Sequence, residues 1–100
     1  MKYGLVGKFT AVPGRRDDLL AILLKAAKLL ETNQGCIHYL VSTTVAPNDI
    51  WVVETWESKA DHDTALEPDD IKALIQQARP YISAMSDQTE LQTHGGKGIN

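Results

Sequence analysis

The chain has 100 residues, 43% of them hydrophobic and 23% charged, and a net charge of −3. That length supports one domain with one modest core, burying roughly 65% of the unfolded surface, and leaves no room for a nucleotide-cofactor domain beside a substrate domain. Acids and bases are mixed, with no basic block for nucleic acid or an anionic membrane, no stretch near the ~20 apolar residues of a membrane span, and one cysteine, Cys36, which excludes an internal disulfide.

Residues 3–11 alternate, with Tyr3, Leu5, Gly7, Phe9 and Ala11 on one face and Val6, Lys8 and Thr10 on the other, which predicts a strand ended by Pro13-Gly14. The start of the chain lacks the long apolar core and cleavage pattern of a signal peptide, so a cytoplasmic protein is expected. A helix is predicted from about Arg15 to Thr32. Asp17 and Asp18 complement the dipole at its start, and Leu19, Leu20, Leu23, Ala26, Ala27 and Leu30 form a broad apolar stripe. Cys36 to Val45 and Ile50 to Glu57 read as two strands of a hairpin joined by the turn cluster Ala46-Pro47-Asn48-Asp49. Ser58 is placed to cap a short helix over Lys59 to Leu66, with Asp61 three residues on. A further helix opens at Pro68-Asp69-Asp70, carries Ile71, Leu74, Ile75, Ala78, Ile82 and Met85 on one face, and is bent or broken at Arg79 by Pro80. Thr89 to His94 reads as the last strand, and 95–100 as a flexible tail beyond a domain spanning 1–94.

The order β-α-β-β-α-β predicts an α+β, ferredoxin-like antiparallel sheet with its helices on one face. The third strand places Val52, Glu54 and Trp56 on one side and Trp51, Val53 and Thr55 on the other. Whichever face the helices leave bare is therefore apolar, and a homodimer packed through it is expected.

The segment Val52-Val53-Glu54-Thr55-Trp56-Glu57-Ser58-Lys59-Ala60 resembles the E-x-W-x-(D/S)-x-x-A segment of the antibiotic biosynthesis monooxygenase superfamily, and Gly35-Cys36-Ile37-His38-Tyr39 resembles its G-x-x-x-Y segment. The resemblance covers the chain to about residue 93. It implies a dimeric α/β-barrel with a pocket between helices and sheet, and, in one branch, oxidation of quinols and anthrones by O2 without cofactor. It places Trp56 on the pocket wall and His62 where anthrone-oxidising members have a substrate-holding tyrosine; Tyr39, Gly7 and Phe9 are expected to line the same pocket. Two departures stand out. Ala65 replaces a histidine common in quinol-oxidising members. Gly7 stands where haem-degrading members have an asparagine, and no histidine lies between Asp69 and Met85, which argues against haem degradation.

Trp56 offers a flat wall for a planar substrate, although a strand tryptophan is more often plain core. Glu54, on a central strand, is costly to bury as a carboxylate; it is either a base or the partner of Arg79, Arg15 or a backbone amide. His62 belongs to a residue type that titrates near pH ~6.5 and suits proton removal, or else it is a solvated histidine between Asp61 and Asp63. With the turn at 46–49, Tyr39 should stand opposite Trp56 and Val41 opposite Glu54, leaving His38 with Leu40 on the dimer side, unless a bulge shifts the register by one and brings His38 to the Trp56 face. Three scattered histidines and one cysteine make no ligand set, so no metal is expected; the resemblance to the cofactor-independent members implies no cofactor. Arg15-Arg16 at a helix start could hold an anion, but Asp17 and Asp18 oppose it.

The sequence thus points to a cofactor-independent monooxygenase of quinol- or anthrone-like phenols. The alternatives are a small-molecule isomerase in the same pocket or a non-catalytic small-molecule-binding or stress protein. RNA binding is disfavoured, because the first and third strands lack an exposed aromatic pair amid basic residues.

Overall fold

A computed structural model of the chain describes residues 1–99. Strand β1 (Lys2–Ala11) leads into helix α1 (Arg16–Leu30), followed by the hairpin β2 (Cys36–Thr43) and β3 (Asp49–Trp56), short helix α2 (Lys59–Thr64), helix α3 (Asp69–Ala78), a 3-10 turn (Arg79–Tyr81) and strand β4 (Ile82–Thr93). The strands form one antiparallel sheet in the order β2-β3-β1-β4. The helices cover one face, which gives the expected ferredoxin-like α+β fold. Among the described residues no helix is long and apolar enough to cross a membrane. His94 is exposed and lies just past β4; of the expected tail, Asn100 lies outside the described residues.

Local chemistry accounts for the helix ends. Asp17 and Asp18 occupy the first turn of α1 and Lys28 its last, each complementing the dipole. Ser58 caps α2: its hydroxyl accepts the Asp61 backbone N–H at 3.1 Å and donates to the Asp61 carboxylate at 2.8 Å. Arg15 is held by Asp18 at 2.6 Å and lies 4.8 Å from the Tyr81 ring centre, while Arg16 donates to the Ala46 carbonyl at 3.2 Å. The Arg15-Arg16 pair is therefore engaged within the protein.

Two expectations need correction. The helix expected to run on to Met85 stops at Ala78, and Pro80, which lacks an N–H, sits in the 3-10 turn that follows. From Ile82 the chain is already strand, so β4 begins seven residues before Thr89. The hairpin register also differs. Tyr39 pairs with Glu54 and Val41 with Val52, while an irregularity between Cys36 and His38 leaves Cys36 opposite Trp56. This is a two-residue slip, and because side chains alternate with period two, Tyr39 keeps its expected face and His38 stays with Leu40 on the other.

The core under the helices is divided. Ala11, Leu19, Leu23, Ile50, Val52 and Ala78 form one buried cluster, and Leu30, Trp56 and Ala65 form a second; Tyr39 packs against both. The opposite sheet face has no helix over it. There Leu40 is 55%, Val53 37% and Leu91 44% exposed, and Trp51 lies 5.8 Å from the Lys8 ammonium.

Helix α1 tests this burial pattern within one element. Leu19 is fully buried and Leu24 half exposed. Leu19→Ala should cost about 2–5 kcal/mol of unfolding free energy and Leu24→Ala under about 0.5 kcal/mol, measured by urea denaturation.

Candidate active site

Between the two core clusters lies a cavity of about 600 Å³, bounded by the sheet, α1, α2 and α3. Its walls are mainly aliphatic: Leu5 from β1, Leu23 and Leu30 from α1, and Ile71, Leu74 and Ile75 from α3. Trp56, Tyr39, Gly7, Phe9, Glu54 and His62 all line it, whereas Cys36, His38, Arg15 and Arg16 are not among its lining residues. Ala65 lies on the wall too, buried beside Trp56.

Strand alternation brings these side chains together. Leu5 pairs with Glu54, Gly7 with Val52 and Phe9 with Ile50, so β1 and β3 present these positions on one face. Tyr39 joins them from β2, opposite Glu54. Glu54 and Trp56, two residues apart on that face, are hydrogen bonded: the indole Nε1 donates to the Glu54 carboxyl at 3.1 Å. Burial raises the Glu54 pKa above the ordinary carboxylate value; the Trp56 hydrogen bond and the nearby His62 pull the other way and do not cancel it. Burial, reinforced by the Glu54 charge, raises the Tyr39 phenol so that it stays protonated. Neither Arg79 nor Arg15 pairs with Glu54; its partners are Trp56 and His62.

His62 is delivered by α2, the helix capped by Ser58. Its ring is held on several sides. The Trp56 ring meets it edge-on, with centres 5.5 Å apart at 86°, and Tyr3 lies 5.5 Å away, tilted by 51°. Nδ1 stands 2.9 Å from the Asp63 carboxylate, an acceptor that selects the Nδ1–H tautomer in the neutral ring. Nε2 is then the free lone pair, 3.8 Å from the Glu54 carboxyl, too far for a hydrogen bond and an ion pair only when the ring is protonated. With a side-chain exposure of 16%, His62 is not the solvated histidine its flanking acids implied.

The sequence reading missed several groups at this site. Tyr3 was legible in principle, since it alternates with Leu5 and Gly7. Its hydroxyl donates to Glu90 at 2.8 Å, Lys59 lies 3.4 Å from the same carboxylate, and burial together with the Glu90 bond pushes the Tyr3 phenol up to about 12. Arg79, Met85 and Gln88 reach the cavity from the 3-10 turn and β4, a stretch whose spacing concealed a strand. Cys36 packs beside Trp56 with its Sγ 3.6 Å from the His38 carbonyl, and burial raises its thiol pKa. Among the described residues no three or more His, Cys, Asp or Glu side chains gather closely enough to hold a metal ion.

The fold and site define a class: a ferredoxin-like α+β domain with an open apolar cavity that carries a carboxyl, an imidazole and an indole on its wall. The family model for antibiotic biosynthesis monooxygenase matches residues 2–77, and the chain belongs to that family. A solved structure from Chloroflexus aurantiacus J-10-fl, provisionally named an antibiotic biosynthesis monooxygenase, is 37% identical over the whole of both chains with a TM-score of 0.91. Similarly named proteins from Caulobacter crescentus CB15 (18% identity, 94% of this chain and 91% of that one, TM-score 0.86) and Deinococcus radiodurans (20%, 100% and 97%, TM-score 0.80) share the fold. No curated protein matches the chain.

Glu54 makes the site testable through stability. A carboxyl raised by burial binds its proton more tightly folded than unfolded. Folding stability therefore falls as pH rises from the unfolded carboxyl value through the raised one, and stays reduced above it. Glu54→Gln removes this penalty and keeps an acceptor for Trp56 Nε1. The variant should melt at a higher temperature than the wild type at pH 7, with the gap closing toward pH ~4, as followed by circular dichroism.

Proposed function

We propose that this protein is a monooxygenase that needs no cofactor and acts on a planar phenol of the quinol or anthrone kind. The observation that carries this reading is the cavity itself: about 600 Å³, mostly aliphatic, with a buried indole, a buried carboxyl and a constrained imidazole on one wall. That volume is in the range of small-molecule sites, and apolar walls with a few convergent polar groups are their usual design. Family membership supports the same class of chemistry.

In this reading the substrate ring lies against Trp56, positioned by Tyr39, Phe9 and the floor at Gly7. His62 Nε2 takes the phenolic proton, and Asp63 holds the imidazole and steadies the cation that forms. Glu54 is placed to share or relay that proton. The electron-rich anion reduces O2 directly, and the aliphatic walls keep water from the intermediate. For an anthrone-type substrate the balance closes without a further reductant: a ring methylene becomes a carbonyl, one atom of O2 is retained and the other leaves as water.

Oxygen uptake with a panel of anthrones, naphthohydroquinones and catechols, using protein of measured metal and flavin content, is the test. Uptake above the buffer rate is expected, and His62→Ala should lower kcat by about 10²–10⁴-fold, the usual worth of a positioned base. Turnover that is unchanged without oxygen would replace this reading with an isomerase. Silence across the whole panel would end it.

The bare sheet face belongs to the same proposal as a homodimer interface. Leu40, Val53 and Leu91 make it apolar, and half-exposed aliphatics on a flat sheet are the mark of a surface that is covered in use. The wild type should sediment as a dimer, and Leu40→Lys with Val53→Lys as a folded monomer. A monomeric wild type at micromolar concentration would remove the interface.

A further inference from the structure

Gly7 leaves a gap in the cavity floor, and the chain fills it from another strand. A Cβ built on Gly7 would fall 2.5 Å from Gln88 Nε2 and 2.9 Å from its Cδ. The amide of Gln88 therefore occupies the space a side chain at position 7 would claim. Bringing it there takes two departures from regular strand. The β1–β4 register slips between Val6, paired with Thr89, and Lys8, paired with Ser86. Within the slip, Asp87 adopts a φ of 56°, the left-handed conformation that residues with a Cβ rarely hold. Lys8 stands 3.4 Å from the Asp87 carboxylate and the Thr89 hydroxyl donates to the Asp87 carbonyl at 3.4 Å, so the bulge is tied at both ends. Bulges of this kind re-aim a side chain, and strained backbone is kept where it serves a site.

The surroundings make an amide there consequential. Its neighbours along the β1 and β4 wall are Leu5, Phe9, Ile82 and Met85. Glu54 on β3 and Gln88 on β4 flank β1 from opposite sides, two interstrand spacings or roughly 10 Å apart at the backbone. A ring bearing oxygens at both ends can meet both groups. An amide both donates and accepts, so it serves a phenol hydroxyl and a quinone carbonyl alike.

We infer that Gln88 is the specificity-determining residue of the cavity: its amide hydrogen-bonds an oxygen on the ring held against Trp56, which selects oxygenated aromatics over hydrocarbons of the same shape. This rests on the reading that the cavity takes a planar phenol or quinone. Gln88 as a residue is exposed, so the discrimination is that of one hydrogen bond gained by the oxygenated ring, whereas a purely aliphatic wall offers none.

The probes are duroquinone, which has no free ring position for a thiol to attack, and hexamethylbenzene, in which methyl groups replace both oxygens. Dissociation constants are measured by NMR titration for the wild type, Gln88→Leu and Gly7→Ala. Gln88→Leu should shift the ratio of the two constants toward the hydrocarbon by about five-fold, the worth of one hydrogen bond. Gly7→Ala should shift it the same way, because its methyl displaces the flexible end of Gln88 while leaving that residue in place. A purely structural role for Gln88 would move both constants together and leave the ratio alone. Ratios within about two-fold of wild type in both variants, with duroquinone still binding, overturn the inference and leave the cavity reading standing. Failure of the wild type to bind either probe overturns both.

Discussion

The constraint on which the rest depends is a carboxyl placed on a central strand beneath the helices. Glu54 sits between Leu5 on β1 and Tyr39 on β2, and its side chain is only 13% exposed. An unpartnered carboxylate there would cost several kcal/mol. The neighbour two residues along the same face supplies the first remedy, the Trp56 indole N–H, and that bond fixes the plane of the largest side chain in the core. The second remedy is to leave space. Packing aliphatic atoms over the carboxyl would desolvate it further, and the chain instead divides its core into two clusters with a hollow between them.

The same arrangement positions the imidazole. Helix α2 runs only from Lys59 to Thr64, too short to be stable alone, so its placement comes from its cap and from what it packs against. Ser58 fixes its start, and Tyr3 and Trp56 hold the His62 ring between them. Tyr3 is itself anchored through Glu90, which Lys59 at the start of the same helix also approaches. The imidazole is thus fixed by contacts from β1 and β3 together with its own helix, and β4 braces Tyr3 and Lys59 behind it. The proposed proton transfer would need such redundancy, because misplacement by about 1 Å can cost two orders of magnitude in rate.

How much of this could be read beforehand depended on whether spacing and geometry agreed. In β1 and β3 they did. Strict alternation gave Gly7 and Phe9 one face of β1 and Glu54 and Trp56 one face of β3, and the pairing of the two strands brings those faces together. The β2 register slipped by two residues, yet the face assignment of Tyr39 survived, because an even shift preserves the side. In β4 the two disagreed. Ile82, Met85 and Gln88 recur every third residue, a helical spacing. Yet Ile82 pairs with Ala11 and Met85 with Phe9, and Gln88 lies over Gly7, all on one side of a strand. Register irregularities between Thr10 and Ala11 and between Val6 and Lys8 absorb the extra residues. A doubly bulged strand mimics a helix in its periodicity, and nothing local separates the two. What the sequence did offer was Pro80, which marked the end of the helix but not what followed.

Strand β3 joins the two halves of the proposal. Its inward residues, Val52, Glu54 and Trp56, build the cavity wall, and its outward residues, Trp51 and Val53, build the bare face. Adjacent residues on one backbone therefore serve both surfaces, only one strand thickness apart. A second copy packed on the outer face would bear directly on the strand that carries Glu54 and Trp56. It would restrict the twist of β3 and with it the distance from the carboxyl to His62 Nε2, now 3.8 Å. In the proposed assembly the interface and the pairing of Glu54 with His62 would therefore share one strand, so loss of the second copy would bear on both.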